Sequence, residues 1–308
     1  MPVLSVGNLH LGGSGKTPMV AAIATHLREA GKRPAVLSRG YGRRTSGFRI
    51  ASVGEGPSGD PRDIGDEPAM LAELVPGVPV VVGEDRFLAG LEALQKLSPT
   101  PGVFVLDDGF SHLRLARDVD LLVFPATRPW GTGRLLPFGD LREPLEAVAH
   151  ADVAVLTGAN PVTESDRENF SNHLRPLGFR GAAFAAGLAA ELEPALSAGT
   201  RVVLATGVAR PERVAETVQS LGVDVVKHLR FGDHHSFPQS SLAKVERALR
   251  RANTEILVVT SKDLPKLKDR LKKLPVEVRV RATPQESFWK WLDQSSLISK
   301  RGSPPSTD

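Results

Sequence analysis

The sequence predicts an α/β protein: a mainly parallel sheet, followed by a second, smaller α/β domain. Three observations lead there. Apolar runs such as Val103–Leu106, Asp120–Phe124 and Val153–Leu156 are continuous rather than alternating, as strands covered on both faces require. Helical patterns with one apolar face separate them, and strand–helix alternation is the sequence form of a parallel sheet. The first strand runs directly into a glycine-rich turn that opens a helix, over Val3–Val20. At 308 residues the chain is long enough for two ordinary α/β domains.

In chain order, the first helix is expected from about Pro18 to Ala30. Val20, Ile23, Ala24 and Leu27 give its apolar face, and Gly31 stops it. A strand follows over Pro34–Leu37 and leads into a glycine- and arginine-rich loop, Ser38–Arg44. Ser52–Asp66 reads as a long loop rich in Gly, Pro and Asp. It ends in Gly65-Asp66-Glu67-Pro68 before a helix, where Asp66 suits an N-cap or a carboxylate facing a nucleotide. Val78–Val82 is a strand, followed by Gly83-Glu84-Asp85-Arg86 and a helix. The stretch from Arg128 to Pro144 is dense in Gly, Pro and Arg.

Alanine-rich residues 186–198 are read as a connection between a first domain of residues 1–185 and a second of residues 199–297. Strands of the second are expected at Arg201–Ala205, Asp224–Val226, Ile256–Thr260 and Val276–Val280. Lys262–Leu274 reads as an amphipathic helix, with Leu264, Leu267, Leu271 and Leu274 opposite mostly basic residues. It suits packing on the sheet, or an anionic membrane surface. Residues 298–308 read as a disordered tail.

The turn in the first stretch carries the chemistry. Gly12, Gly13, Ser14 and Gly15 let successive N–H groups point at one anion, and the helix N-terminus adds partial positive charge. Lys16 supplies a full charge, and the Thr17 hydroxyl can hold a magnesium ion. This is a P-loop of the GGxGK[ST] kind, with Leu11 where that branch often has a signature lysine. Four apolar residues ending in Asp107 and Asp108 read as the matching Walker B strand, with carboxylates for Mg²⁺ beside the loop. The fold expected is therefore of the P-loop NTPase type.

The chain has no cysteine, which excludes disulfides and thiolate metal sites. No apolar run approaches the length of a membrane span. The net charge of +4 is uneven: Lys244–Arg301 holds 15 Lys/Arg against 7 Asp/Glu. Such an excess suits nucleic acid, anionic lipid or a phosphorylated substrate. A single tyrosine and no aromatic interleaving argue against a nucleic-acid partner.

Seven segments stand in one order: SVGNLHLGGSGKTP, LSRGYGR, GDEP, GEDR, DDGFSH, the LLP-to-LREP stretch and a late Asp233-His234-His235. Together they resemble the tetraacyldisaccharide 4'-kinase family of Gram-negative bacteria, from Val3 to about Trp291. The resemblance implies that ATP with Mg²⁺ donates a γ-phosphoryl group to the 4'-hydroxyl of a membrane-borne lipid A precursor. Lys16 would hold the phosphates; Thr17, Asp107 and Asp108 the metal. Asp66 would be the base, paired with His234, and the two would meet by closure of two domains. Glu67, Arg86, His112 and Arg142 would line the substrate and phosphate side, with Arg39 and Arg43 as weaker candidates.

The resemblance also implies a peripheral enzyme at the cytoplasmic face of the inner membrane. Family members commonly carry a hydrophobic helix before the first strand, where this sequence has Met1-Pro2. An expected TEKD motif reads Thr260-Ser261-Lys262-Asp263, and PFGD precedes LREP. The alternative reading is a P-loop ATPase or GTPase switch of the metal-chaperone or partitioning type, distinguished by its nucleotide preference.

Overall fold

A computed structural model describes residues 1–295; the expected tail lies outside the described residues. The chain forms two compact units, and neither is contiguous in sequence. Among the described residues, the first comprises Met1–Leu37, Asp85–Leu188 and 282–295; the second comprises Ser38–Glu84 and Ala189–Arg281. The division at 185 and 199 predicted above is therefore not the one the fold uses. Residues 38–84 group with residues 189–281, an association that no local sequence pattern announces.

In the first unit the strands are β1 (Val3–Gly7), β2 (Pro34–Ser38), β5 (Val103–Asp107), β6 (Val119–Pro125), β7 (Val153–Gly158) and β8 (Ala182–Glu193). Their order is β8-β7-β6-β1-β5-β2, all pairs parallel. The continuous apolar runs are explained by burial: β1, β2, β5 and β7 are buried at every position. The stretch expected to be a connection is largely β8 instead. Its small alanines pair in register with β7, Ala182 beside Val153 and Ala186 beside Thr157.

Helix α1 (Lys16–Glu29) buries Met19, Val20, Ile23, Ala24 and Leu27, each contributing up to about 1.5–3 kcal/mol for the larger side chains. Helix α4 (Arg86–Lys96) starts where Asp85 accepts hydrogen bonds from the backbone N–H groups of Phe87 and Leu88, at 3.0 and 3.3 Å. A core of Leu9, Phe124, Leu156, Phe170 and Phe179 lies behind β6 and β7.

The second unit holds a parallel set, β10-β9-β11-β12, from Asp224–Arg230, Arg201–Thr206, Leu257–Thr260 and Val276–Pro284. It also holds an antiparallel pair, β3 (Arg49–Ser52) and β4 (Val80–Val82). The loop expected over Ser52–Asp66 contains a short helix α2 (Pro61–Ile64), capped by Asp60. Helix α3 (Asp66–Leu74) follows, with Gly65 as its N-cap. Asp66 is thus the first helical residue rather than the cap. Its carboxylate sits in the first turn, where the helix dipole favours negative charge.

Helix α7 (Gln239–Ala252) covers β9 with Leu242, Val245 and Ala248. The expected amphipathic helix over Lys262–Leu274 does not form. Only α8 (Leu264–Leu267) is helical, and the rest is turns. Leu267 and Lys266 are buried there, so this helix is not a free basic face.

Candidate active site

The P-loop is built between β1 and α1. Gly15 stands at φ 85°, a left-handed conformation that turns the chain into the helix and disfavours any side chain. Asn8, at the end of β1, donates from Nδ2 to Ser14 Oγ at 2.9 Å and accepts from Lys16 Nζ at 2.8 Å. Thr157 of β7 donates to the Ser14 carbonyl at 2.8 Å. The loop is therefore held from both sides, with Gly12 and Gly13 exposed at its mouth. Nothing lies within 4 Å of a β-carbon placed on either glycine, so the open side of the loop can receive an anion.

Parallel pairing sets Asp107 beside Val6, next to the strand end that feeds the loop. Asp107 is buried. Asp108 departs into the left-handed region at φ 53°, which turns its side chain toward two cations. Arg142 donates to both of its carboxylate oxygens, at 2.8 and 2.7 Å, and Lys16 Nζ lies 3.5 Å away. Burial alone would raise the Asp108 carboxyl. The Arg142 hydrogen bonds and the charges of Lys16 and Arg142 outweigh it and hold the pKa at about 2. Arg142 also donates to the Asn8 side-chain oxygen and to the Asn8 carbonyl. Asn8 is thus a hub that sequence reasoning missed; its place five residues before Gly13, at a strand end, was the available signal.

Thr17 is half-buried in the first turn of α1. Arg86 is buried at the start of α4, and its backbone N–H donates to His112 Nε2 at 3.4 Å. Burial, then the Arg86 charge, lowers the His112 pKa. Lys16, Asp107, Asp108 and Arg142 therefore gather at one strand end, with Arg86 and His112 forming a second pair in the same unit.

The second unit gathers a different set. Asp66 and His234, expected from sequence to lie in different domains, belong to this same unit. His234 sits at φ 58° in the turn after β10, and its Nδ1 lies 2.9 Å from Asp66 Oδ2. Lys266 of α8, buried, donates to the same oxygen at 2.7 Å. Lys262 Nζ reaches Asp233 Oδ1 at 2.9 Å and His234 Nε2 at 3.3 Å. From sequence, Lys262 enters only through the TEKD-like Thr260–Asp263 and as part of the expected helix, with no role given, and Lys266 only as part of that helix.

His235 faces elsewhere. It stacks on Phe231 and bonds Ser241, a packing role. Glu67 is exposed at the start of α3, and Arg39 is exposed after β2. The Arg43 side chain is buried and paired with Glu84 at 2.6 Å. Among the described residues no three His, Asp or Glu side chains cluster to hold a metal by themselves.

The family model for tetraacyldisaccharide-1-P 4'-kinase (LpxK) matches residues 1–296. The chain belongs to that family. It is 38% identical over 308 residues to tetraacyldisaccharide 4'-kinase of Syntrophus aciditrophicus, covering 93% of this chain and 82% of that one. It is 42% identical over 286 residues to the enzyme of that name from Geobacter sulfurreducens, covering 89% and 76%. The crystal structure of the "apo" form of LpxK from Aquifex aeolicus in complex with ATP is similar in fold, with a TM-score of 0.72 and 31% identity. That match covers 97% of this chain and 87% of the other. The mostly parallel α/β architecture of a P-loop kinase is thereby shared. The alternative reading as a regulatory P-loop switch is not favoured for a member of the LpxK family.

Proposed function

We propose that this chain transfers the γ-phosphoryl group of ATP to the 4'-hydroxyl of a tetraacyldisaccharide 1-phosphate, a step of lipid A biosynthesis. The observation that carries the reading is membership of the kinase family over nearly the whole chain, with the P-loop cluster intact. In the reaction an O–P bond forms to the sugar oxygen as the bond from the γ-phosphorus to its bridging oxygen breaks. ADP leaves with the electron pair, and the hydroxyl proton needs an acceptor.

The residues divide this work. The N–H groups of Gly12–Lys16 and the Lys16 ammonium bind the phosphates. Arg142, already beside Lys16 through Asp108, neutralises charge on the transferred group. Asp66 takes the hydroxyl proton, and His234 orients it. Glu67, Arg86 and His112 serve the substrate side.

A magnesium ion fits the chemistry of Thr17 and Asp107, a hydroxyl and a buried carboxylate of the hard oxygen type it prefers. Asp108 is committed to Lys16 and Arg142 and takes the supporting place. The ion, when bound, offsets phosphate charge.

The acyl chains of the substrate place it in a bilayer, so the enzyme works peripherally, at the cytoplasmic face of the inner membrane. No helix among the described residues is long and apolar enough to cross a membrane. The test is ATP-dependent transfer of labelled phosphate to a detergent-solubilised tetraacyl disaccharide 1-phosphate. A labelled bis-phosphate lipid, absent with Lys16→Ala, is expected. Bound ATP without product would point to another acceptor, and a strict GTP requirement would return the regulatory-switch reading.

A further inference from the structure

Two lysines of the second unit are unaccounted for by the reaction as derived. Lys266 is the more unusual, a lysine whose side chain is only 6% exposed. A buried ammonium loses hydration that its partners must replace, and an apolar side chain at the same place would pack without that cost. Its hydrogen bond to a side chain, among the described residues, goes to Asp66 Oδ2, at 2.7 Å. The fully buried Asp263 carboxylate lies 3.8 Å from the same ammonium and is itself held by Gly207 N–H and Thr260. Lys266 is thus anchored from behind and aimed at Asp66.

His234 Nδ1 meets that same oxygen. Both interactions fall on Oδ2, and no other described residue hydrogen-bonds Oδ1. The two oxygens of Asp66 are therefore inequivalent: Oδ2 is engaged twice, and Oδ1 keeps its lone pairs. The state of the imidazole follows from Lys262. An ammonium has donors only, so at 3.3 Å the His234 Nε2 can only accept. The ring proton then resides on Nδ1 and is donated to Asp66. Asp233 holds Lys262 in place at 2.9 Å.

We propose that Lys266 and Lys262 are positioning residues: Lys266 joins His234 in saturating Asp66 Oδ2, leaving Oδ1 to meet the acceptor hydroxyl, and Lys262 fixes the His234 proton on Nδ1. This rests on the reading of Asp66 as the base. The proton leaving the hydroxyl arrives at Oδ1, and the Lys266 ammonium keeps Oδ2 engaged throughout.

The test uses the full chain with ATP and the solubilised lipid. Lys266→Met is expected to lower kcat by about tenfold or more, with KM for ATP unchanged, and Lys266→Arg to recover part of the loss. In an Asp66→Asn background the Met variant should cause no further drop, because the two residues act through one atom. In ¹⁵N spectra of the imidazole, the wild type should show His234 protonated at Nδ1. Lys262→Met, at a half-buried site, should add the Nε2-protonated form.

A normal kcat in Lys266→Met, or an equal loss in both backgrounds, overturns the role of Lys266. A wild-type ring protonated at Nε2 overturns the role of Lys262, and this readout does not depend on how Lys266 variants fold. Near-normal turnover of Asp66→Asn by itself would instead remove the base assignment on which the proposal stands.

Discussion

Replacing Asp108 by Asn tests the electrostatics of the phosphate-side cluster most directly. Asparagine keeps the shape and accepts the left-handed backbone at φ 53°, so the change removes charge and little else. Lys16 and Arg142 then lose their shared counter-ion. The native carboxyl lies at about 2 against an ordinary 3.8. At about 1.4 kcal/mol per pKa unit, that difference corresponds to roughly 2–3 kcal/mol. The side chain is 37% exposed, however, and solvent screening reduces the expected loss to about 1 kcal/mol.

The sign follows from the direction of the shift. A carboxyl held low stabilises the fold at all pH values above its ordinary pKa, and that contribution disappears as pH falls through about 2. Urea unfolding followed by tryptophan fluorescence should therefore show the same deficit near neutrality and at about pH 5, narrowing only below about pH 4. A variant as stable as the parent near neutrality would refute the reasoning. So would a deficit that widens in acid.

Three further outcomes are expected. Lys16→Ala should abolish transfer and weaken ATP binding together, read by equilibrium binding beside the transfer assay, because the ammonium sits in the loop itself on Asn8. Gly109→Ala should cost about 1–3 kcal/mol in urea unfolding, since its new β-carbon would lie 2.6 Å from Leu106 Cβ and 2.9 Å from Ser5 Oγ. His10 is buried edge-on to Phe124, and burial lowers its pKa against the opposing charge of Asp140. The unfolded chain therefore binds the proton more readily, and stability falls as pH drops below about 6.5. Replacing His10 by Gln should make that fall shallower in thermal melts.

What was legible in the sequence was local. The P-loop, the strand ending at Asp107-Asp108 and the first helix each depend on residues within a few positions of one another. Their steric and electrostatic demands act through adjacent backbone, as Gly15 and Lys16 show. Motif order and family resemblance added Asp66, His234 and Arg142 as names, without saying what each one touches.

Tertiary structure decided the rest. Arg142 reaches Asn8 across 134 residues, His234 reaches Asp66 across 168, and Lys266 reaches Asp66 across 200. Such contacts follow from which strands pair and which segments share a core, and residues 38–84 joined the later half of the chain. The same packing ended α8 after Leu267 and turned a predicted basic helix face into a buried ammonium on a carboxylate. Sequence alone determined which chemical groups the enzyme possesses, because each local motif needs only its neighbours. Which oxygen of Asp66 is left open is a property of three segments brought together, and no local pattern encodes it.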